Sequence, residues 1–269
     1  AARDYSLLLA KITQPPAGWI TGLIKTRRAD GVIVIGQSLH HGELNEAAAS
    51  DIGMVVWGAR LKGQRYVTVG SDNEGGAYSA TSHLIDQGCR RIVFLGDPAV
   101  PEVRSRLDGH LRALSTAGIG RVAGLEVPVR FGSDAAYDGV SALLDAHAEF
   151  DGVFACSDVI AMSAVRALIE RGRRVPADVA VVGFDDIPLA AYTTPPLTTV
   201  RQNCNAGARA LVDRLLQVMA GHRVEPEVIP TELVVRASSL RTHHQHTGAA
   251  QPRPPAAKRR GRPDSLYFK

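Results

Sequence analysis

Thiols are scarce: Cys89, Cys156 and Cys204 are the only cysteines in 269 residues, far apart and with no C-x-x-C pair. A disulfide framework or a zinc ribbon needs paired or closely spaced thiols, so neither is expected, and all three read as small buried apolar groups. No apolar run approaches the ~18–20 residues that span a bilayer, which argues against a membrane partner. The first residues, Ala1 to Tyr5, lack the charged-then-apolar layout of a signal peptide, and the chain reads as cytoplasmic. Enzyme signatures are missing too: there is no G-x-x-x-x-G-K-[ST] and no G-x-S-x-G. Gly118-Ile-Gly-Arg-Val-Ala123 has the letters of a dinucleotide motif, but it follows a helical pattern rather than a strand. Asp185 and Asp186 are adjacent, and neighbours on an extended segment point opposite ways, so they cannot flank one bond. The expectation is a protein that is not an enzyme and uses no cofactor and no metal. His243-His-Gln-His246 reads as a solvated cluster.

Apolar residues make up 45% of the chain, enough to support a substantial core. The length suits one large domain or two lobes of about 100–150 residues each. Net charge is +4, yet residues 242–269 alone carry six basic side chains and one acid, and the other 241 residues sum to −1. The body therefore offers no electrostatic footprint for DNA. The 242–269 tail has no periodicity and many breakers, and is expected to be disordered. Within it Arg260, Gly261, Arg262 and Pro263, flanked by Lys258 and Arg259, resemble the core of an AT-hook, a segment that lies in narrow A·T minor grooves.

Between the ends, β-branched runs alternate with helical patterns. Strands are expected at 5–10, 30–35, 53–57, 66–69, 91–95, 152–155, 179–182 (stopped by Gly183) and 232–235. Helices are expected at 17–28, 43–50, 72–87, 103–117, within 131–146, at 159–171 and at 206–219. Continuous apolar strands between amphipathic helices indicate parallel sheets covered on both faces. Two such sheets are expected, dividing near 97–101. Ligands in open parallel sheets sit beyond the carboxyl ends of the strands. The polar residues there include Gln37, Trp57, Arg60, Asp97, Ser157, Asp158, Asp185 and Asp186. Carboxylates and amides suit the vicinal hydroxyls of a sugar, and an aromatic face suits its C–H side.

Six segments then occur in the order of one family. Val69-Gly-Ser-Asp-Asn-Glu-Gly-Gly-Ala77, His83-Leu-Ile-Asp-Gln-Gly-Cys-Arg-Arg-Ile92, Arg106-Leu-Asp-Gly-His110 and Ser157-Asp158 with Ala161 are four of them. The fifth is Val181-Val-Gly-Phe-Asp-Asp-Ile-Pro188, followed by Pro195-Pro-Leu-Thr-Thr-Val-Arg-Gln202. The last is Pro230-Thr-Glu-Leu-Val-Val-Arg-Ala-Ser238. Together they resemble the LacI/GalR (lactose repressor) family over about residues 5–241.

The resemblance implies an α/β fold of two Rossmann-like lobes, similar to periplasmic sugar-binding proteins of type I, joined by a hinge of three crossovers. The crossings are expected near 96–101, 199–203 and 221–226. One lobe would then comprise 1–97 with 201–223, and the other 98–200 with 224–241. The chain begins at what resembles the second strand, so the first strand and helix of the N-terminal lobe are expected to be missing. The same resemblance implies a mono- or disaccharide effector bound by Arg106, Asp185, Asp158, Ser157 and Gln202, with Trp57 and Phe131 stacking and Gln37 facing from the other lobe. It implies a homodimer that binds operator DNA through a helix-turn-helix absent from this chain. A stand-alone sugar-binding protein and a doubly wound enzyme are the competing readings. Asn203 stands where the family commonly has Pro, and Ser157 where it commonly has Asn.

Overall fold

The computed structural model describes residues 5–10, 19–20, 22, 29–36, 41–49, 53–130 and 132–241. Residues Gly31–Ile35 form β1, His41–Ala48 α1, Gly53–Trp57 β2 and Val67–Ser71 β3. Then come α2 (Asn73–Asp86), β4 (Ile92–Leu95), α3 (Pro101–Thr116), β5 (Glu126–Val127), α4 (Ser133–Asp145), β6 (Gly152–Ala155) and α5 (Asp158–Glu170). The chain continues with β7 (Ala180–Asp185), a 3₁₀ turn (Pro188–Tyr192), β8 (Thr198–Gln202), α6 (Cys204–Met219), β9 (Glu227–Ile229) and β10 (Thr231–Val234). Local chemistry explains the boundaries. Asp72 caps α2 by accepting from Gly75 N at 2.8 Å, and Gly88 takes the left-handed turn that follows the helix. Asn203 caps α6 by accepting from Ala206 N at 3.0 Å, a role that accounts for an amide side chain there.

The strands form two sheets, ordered β1-β2-β3-β9 and β10-β8-β7-β6-β4-β5. In the first, alternation sorts β2 cleanly: Met54 and Val56 pack with Ile20, Leu44, Ala47 and Tyr66, whereas Val55 packs with Val69, Ala210 and Leu211. Helix α6 therefore covers one face and α1 the other. The second sheet carries the larger core, built on Phe94, Phe154, Phe184 and Leu168. There α2 packs along α3, and α4 along α5. The α2–α3 contact is close: a Cβ on Gly109 would lie 2.2 Å from the Glu74 carbonyl oxygen. Gly109→Ala is expected to cost ~1–3 kcal/mol by forcing the helices apart, despite a helix-propensity gain of up to ~1 kcal/mol. Urea unfolding measures this, and an unchanged midpoint would mean that the helices separate without penalty.

Several expectations need correction. The sheets do not divide at 97–101: β4 is inserted between β5 and β6, so the chain leaves the first sheet at Ser71 and enters the second lobe with α2. Its run of Ile92 to Leu95 is fully buried and would suit either sheet, so only pairing decides. The third crossing also moves, because β9 pairs with β3 and β10 with β8, placing it at Pro230. The second crossing lies between β8 and α6 as expected. β10 runs antiparallel to β8 in sheets that are otherwise parallel.

Residues 5–10 form no strand. Leu7 and Leu9 are each 89% exposed, and β1 lies at the sheet edge without pairing to them. An apolar run becomes a strand only where a ladder partner accepts its backbone groups. β7 is not stopped by Gly183 but passes through it to Asp185, where its pairing with β8 continues; glycine stands at 183 because a Cβ there would meet the Asp158 carboxylate at 2.4 Å. The two-residue β5 and three-residue β9 were not expected, nor was the five-residue β8. Cys89 and Cys156 are buried, and desolvation pushes each thiol to about 12; Cys204 is exposed at the start of α6, contrary to expectation. Of 17–28, only Trp19, Ile20 and Gly22 are described, and they are helical. The 242–269 tail, with Arg260, Gly261, Arg262 and Pro263, lies outside the described residues. No helix among the described residues is long and apolar enough to cross a membrane.

Candidate functional site

A cavity of about 240 Å³ opens where the carboxyl ends of both sheets meet. The first lobe contributes Gly36, Trp57, Gly58, Gly70 and Ser71; the second contributes Asn73, Val100, Glu102, Arg106, Asp185 and Gln202. This is the position that parallel α/β topology prescribes, since strand ends and helix starts converge there.

Arg106 lies on α3, one turn beyond its start, and is 5% exposed. Its guanidinium stacks 3.7 Å over the Phe184 ring, donates from Nε to Asn73 Oδ1 at 2.8 Å and from Nη1 to the Cys156 carbonyl. These contacts fix the planar fork and, among the described residues, leave Nη2 without a hydrogen bond. Asp185 Oδ1 lies 4.0 Å from Arg106 Nη1 and accepts from Gln202 Nε2 at 2.6 Å. Gln202 Oε1 in turn accepts from the Ser71 hydroxyl at 2.6 Å, so one hydrogen-bonded chain runs from β3 of the first lobe to Asp185 of the second. Burial raises the Asp185 pKa, opposed by Arg106 and the Gln202 amide.

The backbone of Asp185 has φ +121° and that of Asp186 φ +56°, both unusual for side chains bearing a Cβ. Such strain, ~1–3 kcal/mol per residue, persists where the surroundings over-determine it. Here the surroundings are the two arginines that hold Asp186: Arg236 Nη2 at 2.6 Å and Arg201 Nε at 2.7 Å. Partial burial works to raise Asp186, but these two arginines outweigh it and keep its carboxyl below the usual range. Asp185 therefore enters the cavity while Asp186 is tied elsewhere. That separation was expected, although left-handed backbone produces it instead of an extended strand.

Among the residues predicted from sequence, Arg106, Asp185, Gln202 and Trp57 meet in the cavity. Trp57 packs its ring against the backbone of Gly207 on α6, where a Cβ would lie 2.4 Å away. Ser157 and Asp158 do not line the cavity. Ser157 caps α5 by accepting from Ile160 N at 3.3 Å. Asp158, fully buried, accepts from the Thr199 hydroxyl and, at 2.9 Å, from Ile187 N. It braces the turn after Asp185 from behind. Gln37 and Phe131 lie outside the described residues. Sequence reasoning missed Ser71, Asn73 and Glu102 as cavity residues. Asn73 and Ser71 stood inside a quoted motif, and Glu102 is one helical turn before Arg106 on the same helix face.

Two lobes with a polar cavity at facing strand ends define a periplasmic-binding-protein-like ligand-binding domain, and a family model of that description matches residues 81–239. The transcriptional regulator CelR of Thermobifida fusca is 38% identical over 229 residues, covering 81% of this chain and 65% of its own length. The ribose operon repressor of Halalkalibacterium halodurans is 35% identical over 222 residues, covering 80% of this chain and 64% of its own. Among solved structures, a CelR–cellobiose complex aligns with a TM-score of 0.74 at 33% identity, covering 81% of this chain and 68% of that one. The chain belongs to the LacI family of transcriptional regulators, and it spans about 65% of the length of these curated relatives. Of the three readings open from sequence, the relatives favour the regulator over the stand-alone binding protein and the enzyme.

Proposed function

We propose that this chain is the effector-binding domain of a LacI-type DNA-binding transcriptional repressor, with a sugar as effector. The observation that carries the reading is the interlobe cavity, where Arg106, Asp185 and Gln202 converge opposite Trp57, backed by the Ser71–Gln202–Asp185 hydrogen bonds between lobes. A sugar there would take hydrogen bonds from Arg106 Nη2 and give them to Asp185, and would lay its C–H face on Trp57. It would touch both lobes at once, and would favour the closed state through contacts only that state makes. A volume of about 240 Å³ lies under the usual range of ~300–1,000 Å³ for ligand pockets and suits a single sugar ring. Relatives point the same way, one being a ribose operon repressor and another bound to cellobiose.

In a homodimer, closure would alter the spacing of two operator-binding helix-turn-helix heads, which lie outside these 269 residues, and so lower operator affinity. The domain would bind sugar without turning it over. Calorimetric titration with mono- and disaccharides, alongside product analysis, tests both points. Saturable binding with unchanged sugar is the expected result; a released product would replace the sensor by an enzyme.

A further inference from the structure

Glu102 is a cavity carboxylate that shares the charge of Arg106 with Asp185. It lies in the first turn of α3, and its Oε2 is sealed from solvent yet accepts no hydrogen bond among the described residues. The cavity's described lining holds one guanidinium and two carboxylates. Arg106 and Asp185 already face one another at 4.0 Å, so one guanidinium shared between two carboxylates leaves negative charge in surplus.

The backbone groups that would cradle a phosphate are otherwise engaged. Glycine amides at strand ends form the usual phosphate cradles. Here Gly36 N donates to the Trp57 carbonyl at 2.9 Å and Gly58 N to the Val69 carbonyl at 3.0 Å. The start of α2 is occupied by its own cap, Asp72, with Glu74 in its first turn. The start of α3 has no side-chain cap and opens beside the cavity, but Glu102 already places negative charge at that positive end.

We infer that Glu102 is a specificity-determining residue: it accepts a hydrogen bond from a hydroxyl of an uncharged sugar and excludes the phosphorylated or carboxylated forms of the same sugar. This rests on the sugar reading of the cavity. Two like charges roughly 6 Å apart at an effective dielectric near ~20 repel enough to weaken binding on the order of a hundredfold. A sealed carboxylate oxygen without a donor is costly, and a ligand hydroxyl removes that cost.

The test titrates the chain with glucose, ribose and cellobiose and, in parallel, with glucose 6-phosphate, ribose 5-phosphate and glucuronate. The same six ligands are run on Glu102→Gln and Glu102→Asp, with folding checked by circular dichroism. At least one neutral sugar is expected to bind, its anionic counterpart about a hundredfold more weakly. In Glu102→Gln the neutral sugar should lose about tenfold and the gap to the anion should narrow at least tenfold, while Glu102→Asp should keep the gap. An anion that binds as tightly as its neutral partner, or a gap that Glu102→Gln leaves unchanged, overturns this inference alone and leaves the sugar reading standing. Binding of none of the six to the folded chain overturns both.

Discussion

Replacing Asp185 with alanine is expected to weaken sugar binding by at least a hundredfold and to lower stability as well. The carboxylate is the cavity's acceptor for ligand hydroxyls, and charged hydrogen bonds contribute ~1.5–3 kcal/mol each. Its removal also leaves the Arg106 guanidinium without the charge 4.0 Å away that offsets its burial. Asp185→Asn keeps the shape and tolerates the positive φ better than alanine, yet should also bind weakly, which isolates the charge from the fold. Arg106→Ala should likewise abolish binding and melt at a clearly lower temperature. It strips donors from Asn73 and the Cys156 carbonyl, and a cation from the face of Phe184. Calorimetry and thermal melts on the three variants separate these outcomes. Wild-type affinity in Asp185→Ala would place the sugar outside the interlobe cavity.

The second large effect concerns Asp158. Asp158→Ala is expected to destabilise the protein by about 3 kcal/mol, because it orphans the buried Thr199 hydroxyl and the Ile187 amide together and leaves a void beside Gly183. Asp158→Asn exposes a pH dependence. Burial pushes the Asp158 carboxyl up to about 6, partly opposed by the Thr199 and Ile187 hydrogen bonds. A folded-state pKa above the unfolded value of ~3.9 means that the folded protein binds this proton more tightly. The resulting stability is fully present below about pH 4 and is lost as pH rises through 6, a change of up to ~3 kcal/mol. His110 titrates in the opposite sense: burial against Phe94 and Phe154 lowers it to about 4, so its contribution is lost as pH falls. Because both proteins keep His110, the difference between them isolates Asp158. The wild-type advantage over Asp158→Asn in urea unfolding should shrink by ~2–3 kcal/mol from pH 4 to pH 7. A constant difference would mean that Asp158 is not desolvated in solution.

Asp158 also shows where reading a sequence reaches its limit. Its place after a strand marked it as a ligand group, and so did the motif around it. The side chain turns instead toward β7 and β8, because Gly183 leaves room there and Thr199 offers a hydroxyl. Glu102 is the converse case: it falls just outside the helix expected at 103–117, and only the approach of β3, β7 and β8 makes its position a cavity wall. Arg106 and Asp185 were recognisable because the chain around each forms an unbroken motif.

The sequence by itself determined the alternation of strands and helices, most of their boundaries and the two-lobed α/β class. Periodicity, caps such as Asp72 and turns such as Gly88 act over a few residues and need no distant partner. Tertiary structure alone decided that β4 joins the second sheet, that residues 5–10 stay outside any sheet, and which strand-end groups share the cavity. Those outcomes depend on ladder pairing between segments far apart in the chain. An apolar run is equally content in any buried sheet, so its own residues cannot express the choice.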